Sequence, residues 1–173
     1  LPISFNKNLY LWLLMKKVEI ICSVLEFHSI KELDLKDKLL VGKAKNAIKS
    51  AYSPYSKFQV GAAVLLKNGE IITGSNQENA AYPSGLCAER VALFYANSKF
   101  PEVPVSAIAI CNFSAFKEIE KPISPCGACR QVLLETEIRF QNPIKVILVG
   151  QNKIQVINEV KQLLPLSFDS EFL

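Results

Sequence analysis

Two apolar stretches decide the fold: residues 105–111 have the sequence VSAIAIC, and residues 144–149 have the sequence IKVILV. Apolar runs of this length are typical of strands that are buried on both faces of a sheet. Residues 126–136, which lie between the two runs, are predicted to form a helix. A buried strand, a helix and a second buried strand in this order indicate an α/β fold.

Upstream, the pattern predicts a helix followed by a β-hairpin. Apolar residues recur at helical spacing through residues 35–51, with lysines between them, and a Ser-Pro pair ends the helix. Residues 58–64 alternate as a strand does. Asn68-Gly69 is a strong hairpin signal, and residues 71–73 supply the returning strand.

The remaining segments complete the order of elements. A loop over residues 74–86 leads into a helix that begins near Cys87, and residues 154–157 form a strand before a short final helix. Residues 18–27 also alternate and predict a strand or a strand-like arm. The order predicts a three-layer α-β-α sandwich around a mixed sheet of five strands, in one domain without repeats.

The composition predicts a globular protein in a reducing compartment. Half of the 173 residues are apolar and the net charge of +4 shows no basic cluster, so we expect neither disorder nor a nucleic-acid partner. Five cysteines, three of them in two short clusters, suit reduced thiols and predict a cytoplasmic location. The apolar residues 9–14 are too few to span a membrane and precede no signal cleavage site, so no membrane partner is expected.

Three of the cysteines predict a metal site. Cys126 and Cys129 are three residues apart, so at the start of a helix their thiols would lie on one face. A redox dithiol or two incidental core cysteines would have the same spacing. Cys87 favours a metal because it lies at the predicted start of another helix, where the positive helix end stabilises a thiolate.

The predicted zinc site is open. Three protein ligands leave the fourth position of tetrahedral zinc for water, as in a catalytic site. No fourth ligand is expected, because His28 is the only histidine and has a predicted packing or surface role. Cys22 and Cys111 lie within apolar strands and are predicted to be small core residues.

Glu89 is the candidate acid and base. It lies two residues after Cys87, and a regular helix does not place two such positions on one face. Both side chains could therefore reach one metal only from the first turn, around the helix end. There the Glu89 carboxylate could take a proton from water on the zinc and return it to a substrate. A solvated carboxylate that stabilises the helix N-terminus is the alternative.

Several motifs together resemble the small tetrameric cytidine deaminases. Cys87-Ala88-Glu89 and Pro125-Cys126-Gly127-Ala128-Cys129 match the three-cysteine form of the zinc deaminase signature, in which the glutamate is acid and base rather than a ligand. The resemblance runs from about residue 35 to residue 168. It includes these further motifs: Phe58-x-Val60-Gly61-Ala62-Ala63, Gly74-x-Asn76-x-Glu78-Asn79-Ala80, Tyr82-Pro83, and Leu163-Leu164-Pro165 with Phe168.

The resemblance implies which residues would bind a nucleoside. Asn76 and Glu78 would hydrogen-bond the ribose hydroxyls, and an amide beside a carboxylate suits a sugar diol. Phe58 would pack against the pyrimidine, and the backbone of Ala88 and Cys126 would bind the edge of the base. Without the zinc motif, Asn76 and Glu78 could be turn residues and Phe58 the first core residue of a strand.

The resemblance also implies a homotetramer with shared active sites. Ala80 and Tyr82 would face the site of a neighbouring subunit, and Phe168 would close the pocket of another. Arg90 would donate hydrogen bonds to zinc-bound sulfur and so offset the net negative charge of three thiolates on a dication. An exposed helix residue is the alternative for Arg90.

The resemblance predicts a hydrolase with one Zn²⁺ per subunit. It would deaminate free cytidine and 2′-deoxycytidine to uridine and 2′-deoxyuridine with release of ammonia, in pyrimidine salvage. Two alternatives stay open. A deaminase of another aminopyrimidine nucleoside, such as blasticidin S, would not need Glu78, and a non-catalytic zinc-binding scaffold would need a fourth ligand.

The first part of the chain contributes no motif. Residues 1–34 are predicted to be an N-terminal extension of unknown role, and residues 35–173 the catalytic domain. Met15 is the only methionine, and we expect the natural product to start there, with residues 1–14 not native.

Overall fold

The computed structural model describes residues 15–114 and 119–173. The predictions on residues 9–14 and on a start at Met15 concern residues 1–14, which lie outside this range. Within the described residues the chain forms these helices and strands: β1 (Leu25–Phe27), α1 (Leu35–Ala47), β2 (Phe58–Leu66), β3 (Ile71–Ser75), α2 (Ala88–Lys99), β4 (Val105–Ser114), α3 (Gly127–Phe140), β5 (Lys145–Val149) and β6 (Ile154–Ile157).

The strands form one mixed sheet in the order β1-β6-β5-β4-β2-β3. The two apolar runs of the sequence are the neighbours β4 and β5, and they pair in parallel, whereas every other pair in the sheet is antiparallel. The α/β class and the mixed sheet are therefore confirmed. α3 makes the crossover between β4 and β5, which is the connection that parallel neighbours require.

The predicted number of strands is wrong by one. Over residues 15–114 and 119–173 the sheet has six strands, because residues 25–27 form an edge strand that pairs antiparallel with β6. The strand predicted for residues 18–27 is therefore formed only by the last three of them, Leu25–Phe27. Val18 and Ile20 are exposed and precede the strand, so alternation by itself did not indicate burial there.

Helices cover both faces of the sheet, so the three predicted layers are confirmed. α1 packs on one face through Leu40, Val41 and Ala44, against the small and β-branched residues Ala63, Ala107, Ala109, Cys111, Ile147, Val149, Ile154 and Val156. α2 and α3 pack on the other face, where the buried residues include Val60, Ala62, Val64, Ala88, Ala92, Leu93, Ala96, Ile108, Ile110, Leu133, Leu134, Val146 and Leu148.

A glycine brings α2 close to the sheet. A methyl group at Gly74 in β3 would lie 2.5 Å from the backbone nitrogen of Ala92 and 2.7 Å from the carbonyl oxygen of Ala88. Such distances are too short for any side chain, so only glycine permits this approach. The first turn of α2, with Cys87 before it, is therefore seated directly on β3.

The elements that carry the predicted site residues meet at one end of the sheet. Phe58 opens β2 and pairs with Ser114 at the end of β4, and Asn76 directly follows β3. α2 and α3 begin at the same end, after Cys87 and Cys126.

The remaining sequence predictions on secondary structure are also confirmed. Gly69 in the hairpin turn has φ +89°, and the short final helix is a 3-10 turn, Val160–Leu163. Among the described residues, no helix combines the length and apolar character that crossing a bilayer requires.

Candidate zinc and nucleoside site

Two helix N-termini carry the predicted ligands. Cys87 is the N-cap of α2 and Cys126 the N-cap of α3, with similar extended backbones at ψ 152° and ψ 167°. Neither side chain makes a capping hydrogen bond, so neither sulfur is bound to the backbone of the helix that it precedes. Cys129 follows in the first turn of α3. Both positive helix ends therefore favour thiolates at one place.

The spacing of the three sulfur atoms fits zinc. The Sγ atoms of Cys87, Cys126 and Cys129 all lie within 4.8 Å of one another, and those of Cys87 and Cys126 are 3.9 Å apart. Tetrahedral zinc with Zn–S bonds of about 2.3 Å separates its sulfur ligands by about 3.8 Å. One ion can therefore bind all three cysteines with little movement of the chain.

The environment of Cys87 favours its thiolate. The hydrogen bond that the Cys129 thiol donates and the contact with the Arg90 guanidinium together lower the pKa of Cys87 to about 5. Arg90 lies with its terminal nitrogen 3.8 Å from the Cys87 sulfur. The pKa of Cys129 is raised, because its thiol donates that hydrogen bond and is buried. One negative charge is therefore already stabilised among the three sulfurs.

The other candidates for a metal ligand lie elsewhere. Cys111 is buried in the core under α1, as predicted, and burial raises the pKa of its thiol to about 12. The prediction that Cys22 is a core residue is wrong: it precedes β1 and is exposed, because the sheet begins only at Leu25. His28 is exposed, in line with its predicted surface role. In the described part of the chain, the three-cysteine group is therefore not joined by a fourth such ligand.

Glu89 is buried beside the sulfur cluster. It lies in the first turn of α2, only 5% of it is exposed, and its carboxyl accepts a hydrogen bond from its own backbone N–H. Burial raises the pKa of Glu89, and the charge of Cys87 raises it further. A buried carboxyl with a raised pKa can accept and return a proton more easily near neutral pH than an exposed glutamate.

A cavity of about 570 Å³ opens next to Cys87. Its volume is sufficient for a nucleoside-sized molecule. The lining includes five of the predicted site residues, Asn76, Glu78, Tyr82, Cys87 and Arg90, together with Tyr55, Ser56, Gln77, Asn79, Gly85 and Leu86. The structure thus brings the predicted ribose-binding pair and a predicted zinc ligand to one cavity.

Asn76 holds the strand that carries Phe58. Its Oδ1 accepts from the backbone N–H of Val60 at 2.8 Å, and its Nδ2 donates to the carbonyl oxygen of Phe58 at 2.9 Å. Phe58 itself is half-buried against the core and is not among the residues that line the cavity. Asn76 therefore fixes the start of β2, whichever further contacts it makes.

Glu78 is bound by the loop that precedes β2. Its carboxylate accepts from the backbone N–H groups of Tyr55 at 2.9 Å and Ser56 at 3.2 Å, and also from the Ser56 hydroxyl. Burial raises the pKa of Glu78, but these hydrogen bonds outweigh burial and hold the pKa below its usual range. The carboxylate is thus kept ionised, as a hydrogen-bond acceptor at the cavity wall.

The comparisons with known proteins agree with this geometry. The profile of the family described as "Cytidine and deoxycytidylate deaminase zinc-binding region" matches residues 35–141. The chain belongs to this family. The cytidine deaminase of Halalkalibacterium halodurans is 44% identical over 135 residues, which cover 78% of this chain and 95% of that protein. The cytidine deaminase of Mycobacterium tuberculosis is 35% identical over 115 residues, covering 65% of this chain and 82% of that protein.

Solved cytidine deaminases have the same fold. The structure of the enzyme from Burkholderia pseudomallei superposes with a TM-score of 0.65 at 39% identity and covers 75% of this chain and 97% of that chain. The structure from Mycobacterium tuberculosis gives a TM-score of 0.62 at 33% identity, covering 79% and 99%. The resemblance inferred from the motifs is therefore confirmed.

The residues that this deaminase family resemblance assigns to subunit contacts are exposed. Ala80 is exposed, Tyr82 is 75% exposed at the cavity rim with its ring edge against Tyr55, and Phe168 is 59% exposed. The backbone oxygen of Phe168 accepts from Gln131 of α3 at 2.8 Å. Phe168 and Ala80 are not among the residues that line the cavity of their own subunit.

Sequence reasoning missed Ser56 in this deaminase site. Its hydroxyl and its backbone N–H both bind Glu78. Neither spacing nor hydrophobic pattern indicates that this loop serine has a role in the site, because that role depends on a carboxylate 22 residues away. The signal that could have found it is its place two residues before Phe58, within the region of resemblance.

Proposed function

We propose that this chain hydrolyses free cytidine and 2′-deoxycytidine to uridine and 2′-deoxyuridine, with release of ammonia. The observation that carries the proposal is the group of three cysteine sulfurs with zinc-ligand spacing beside the buried carboxyl of Glu89. A structural zinc site would need a fourth ligand and would have no use for a buried carboxylate. Family membership and the cavity next to Cys87 support the same function.

Cys87, Cys126 and Cys129 are proposed to hold one zinc ion per subunit. When bound, zinc supplies the Lewis acidity that makes water a nucleophile near neutral pH. Arg90 is proposed to offset the excess negative charge of the three thiolates through its contact with the Cys87 sulfur.

Glu89 is proposed to move both protons of the reaction. It takes one proton from water and passes it to ring nitrogen 3, which makes ring carbon 4 electrophilic. The oxygen of that water forms a bond to carbon 4. Glu89 then takes the remaining proton of that water from the new hydroxyl group on carbon 4 and passes it to the amino group. The C–N bond breaks as the C=O bond of uridine forms, and ammonia leaves. The backbone of Ala88 and Cys126, beside the sulfur cluster, is proposed to bind the edge of the base.

Asn76 and Glu78 are proposed to bind the ribose hydroxyls, and Phe58 to pack against the pyrimidine. The lowered pKa of Glu78 supports a role as an ionised acceptor, and both polar residues line the cavity. A site that binds a sugar hydroxyl through dedicated polar groups rejects analogues that offer no sugar hydroxyl to them, whereas 2′-deoxycytidine keeps one. Blasticidin S would therefore be a poor substrate.

A homotetramer with shared active sites is proposed for this chain. Large apolar side chains are exposed on α2, at the cavity and near the C-terminus, among them Phe94, Tyr95, Tyr55, Tyr82 and Phe168. Exposed apolar surface of this kind is typical of subunit interfaces. The aromatic rings of Tyr82 and Phe168 would then close the cavities of neighbouring subunits. All five cysteines are free, which supports a location in the cytoplasm.

The test follows the absorbance of cytidine during incubation with the purified protein. Wild-type protein is compared with chelator-treated protein and with Glu89→Gln, and each is also given blasticidin S. Chelator-sensitive formation of uridine that Glu89→Gln has lost is the expected result. Conversion of blasticidin S alone would show another substrate, and zinc-loaded protein that converts neither compound would contradict the proposal.

A further inference from the structure

The three predicted zinc ligands differ in how firmly their surroundings hold them. Cys129 is fully buried in the first turn of α3, and Cys87 is half-buried beside Arg90. Cys126 is exposed at the junction between a loop and α3, and its side chain makes no capping hydrogen bond. The position of its sulfur therefore depends on how the backbone just before it is held.

Arg130 holds that backbone with its whole guanidinium group. Its Nε donates to the carbonyl oxygen of Pro125 at 2.9 Å, and one terminal nitrogen donates to the Ser124 hydroxyl at 2.9 Å. The other terminal nitrogen donates to the carbonyl oxygen of Leu163 at 3.0 Å. The backbone N–H of Arg130 also donates to the carbonyl oxygen of Cys126 at 2.9 Å. Arg130 thus binds the two residues that precede Cys126 and ties them to the 3-10 turn near the C-terminus.

A close backbone contact holds the same loop from the other side. A methyl group at Gly150, after β5, would lie 2.6 Å from the carbonyl oxygen of Glu120 and 2.6 Å from the nitrogen of Pro122. The loop therefore lies directly on the end of β5. Gly150 therefore contacts the loop at residues 120–122, and Arg130 binds it at Ser124 and Pro125.

We propose that Arg130 is a positioning residue for the zinc ligand Cys126, acting through the Ser124-Pro125 backbone. The inference rests on the proposed zinc role of the three cysteines. Three nitrogen atoms of a planar fork bind three separate acceptors, whereas a lysine carries all its N–H donors on one nitrogen and cannot reach the same three positions at once. The function of Arg130 is therefore geometric, and its positive charge alone would not replace it.

The experiment measures zinc affinity in holoenzymes by competition with a chromophoric chelator, for wild type, Arg130→Gln, Arg130→Lys and Arg139→Gln. Arg139 is the matched control, because it lies on the same helix and donates a single bond, to the carbonyl oxygen of Pro101 at 2.8 Å. We expect zinc affinity to fall about tenfold in both Arg130 variants. Arg139→Gln should bind zinc as wild type does.

A spectroscopic measurement separates positioning from general stability. Cobalt replaces zinc in each protein, and its thiolate charge-transfer band reports how many sulfurs bind and in what geometry. The band should weaken in the Arg130 variants and stay unchanged in Arg139→Gln. Arg130 variants that bind zinc as tightly as Arg139→Gln, with an unchanged cobalt spectrum, would overturn the proposal.

A further variant and the wild-type readout separate failure of this proposal from misfolding and from failure of the proposed function. Ser124→Ala removes one of the three side-chain hydrogen bonds and leaves Arg130 in place, so it tests the positioning role if Arg130→Gln does not fold. Ser124→Ala should weaken zinc binding about threefold, and an unchanged zinc affinity would count against the positioning role of Arg130. Failure of the proposed function would show in wild type alone, as a protein without zinc affinity or without a thiolate band in cobalt.

Discussion

The two halves of the candidate site are built in different ways. The metal half consists of residues at or within the first turns of two helices that pack on the core, namely Cys87, Glu89, Cys126 and Cys129. The nucleoside half consists of Asn76 and Glu78, which follow β3 and are hydrogen-bonded to residues 55–60. Helix ends fix a side chain through backbone geometry, whereas a loop needs hydrogen bonds between its own residues. Polar groups in the nucleoside half therefore have a structural role in addition to the proposed binding role.

The largest effect is expected from the metal half. Cys129→Ala removes a fully buried ligand, so we expect loss of zinc and a fall in activity of at least about a thousandfold. The zinc content of the purified protein and the rate of uridine formation measure both effects. Cys111→Ala is the matched control, because Cys111 is also buried but lies under α1. Equal zinc loss in both variants would mean that the sulfur cluster does not bind the metal.

A substitution in the nucleoside half should leave zinc in place. Glu78→Gln removes a charged acceptor at the cavity wall, and we expect kcat/KM for cytidine to fall about a hundredfold with normal zinc content. With 2′,3′-dideoxycytidine, which lacks both hydroxyls, the same variant should differ little from wild type. An equal loss on both substrates would show that Glu78 acts only by holding the loop at Tyr55 and Ser56.

A smaller effect is expected where α2 is seated on the sheet. Gly74→Ala places a methyl group against the backbone of Ala88 and Ala92, so it should lower the free energy of unfolding by about 1–3 kcal/mol. Gly42→Ala is the control, because the space around Gly42 in α1 is open, and it should stabilise the protein by up to about 1 kcal/mol. Chemical denaturation measures both. A neutral Gly74→Ala would show that α2 can shift without loss.

The smallest effect concerns the loop that binds Glu78. Ser56→Ala removes the hydroxyl that helps to hold the pKa of Glu78 below its usual range. A lowered pKa keeps the carboxylate ionised to lower pH, so without the hydroxyl Glu78 becomes protonated at a higher pH than in wild type. We expect kcat/KM to fall about threefold at pH 7 and its acid-side decline to move to higher pH. An unshifted pH profile of kcat/KM would contradict this.

The metal half could be predicted from the sequence because its information is local. Cys126 and Cys129 are one helical turn apart, which places both thiols on one face, and Cys87 and Glu89 lie at the start of another helix, so local sequence marks each pair. The α/β class was predictable for a similar reason: β4 and β5 are continuous apolar runs on either side of a helix. Each prediction needs only neighbours in the sequence.

The features that sequence reasoning missed depend on distant residues. β1 pairs with β6 more than a hundred residues later, so its short alternating pattern does not show where the pairing begins. Ser56 binds a carboxylate on another loop, and Asn76 binds the backbone of a strand, Phe58–Leu66, that precedes it in the chain. Cys22 was assigned to the core from alternation alone. Such contacts are set by the tertiary fold, and no spacing rule encodes them.

The pairing of β1 with β6 also means that β1 is synthesised long before the strand with which it pairs. Lys153, just before β6, forms an ion pair with Glu26 of β1 across 127 positions of sequence. At a translation rate of about 5–20 residues per second, β1 would wait about 6–25 seconds for its partner. The earliest strand to be made is thus among the last to be paired. A ribosome that stalls within this interval would leave β1 without a partner and open to pairing with another nascent chain.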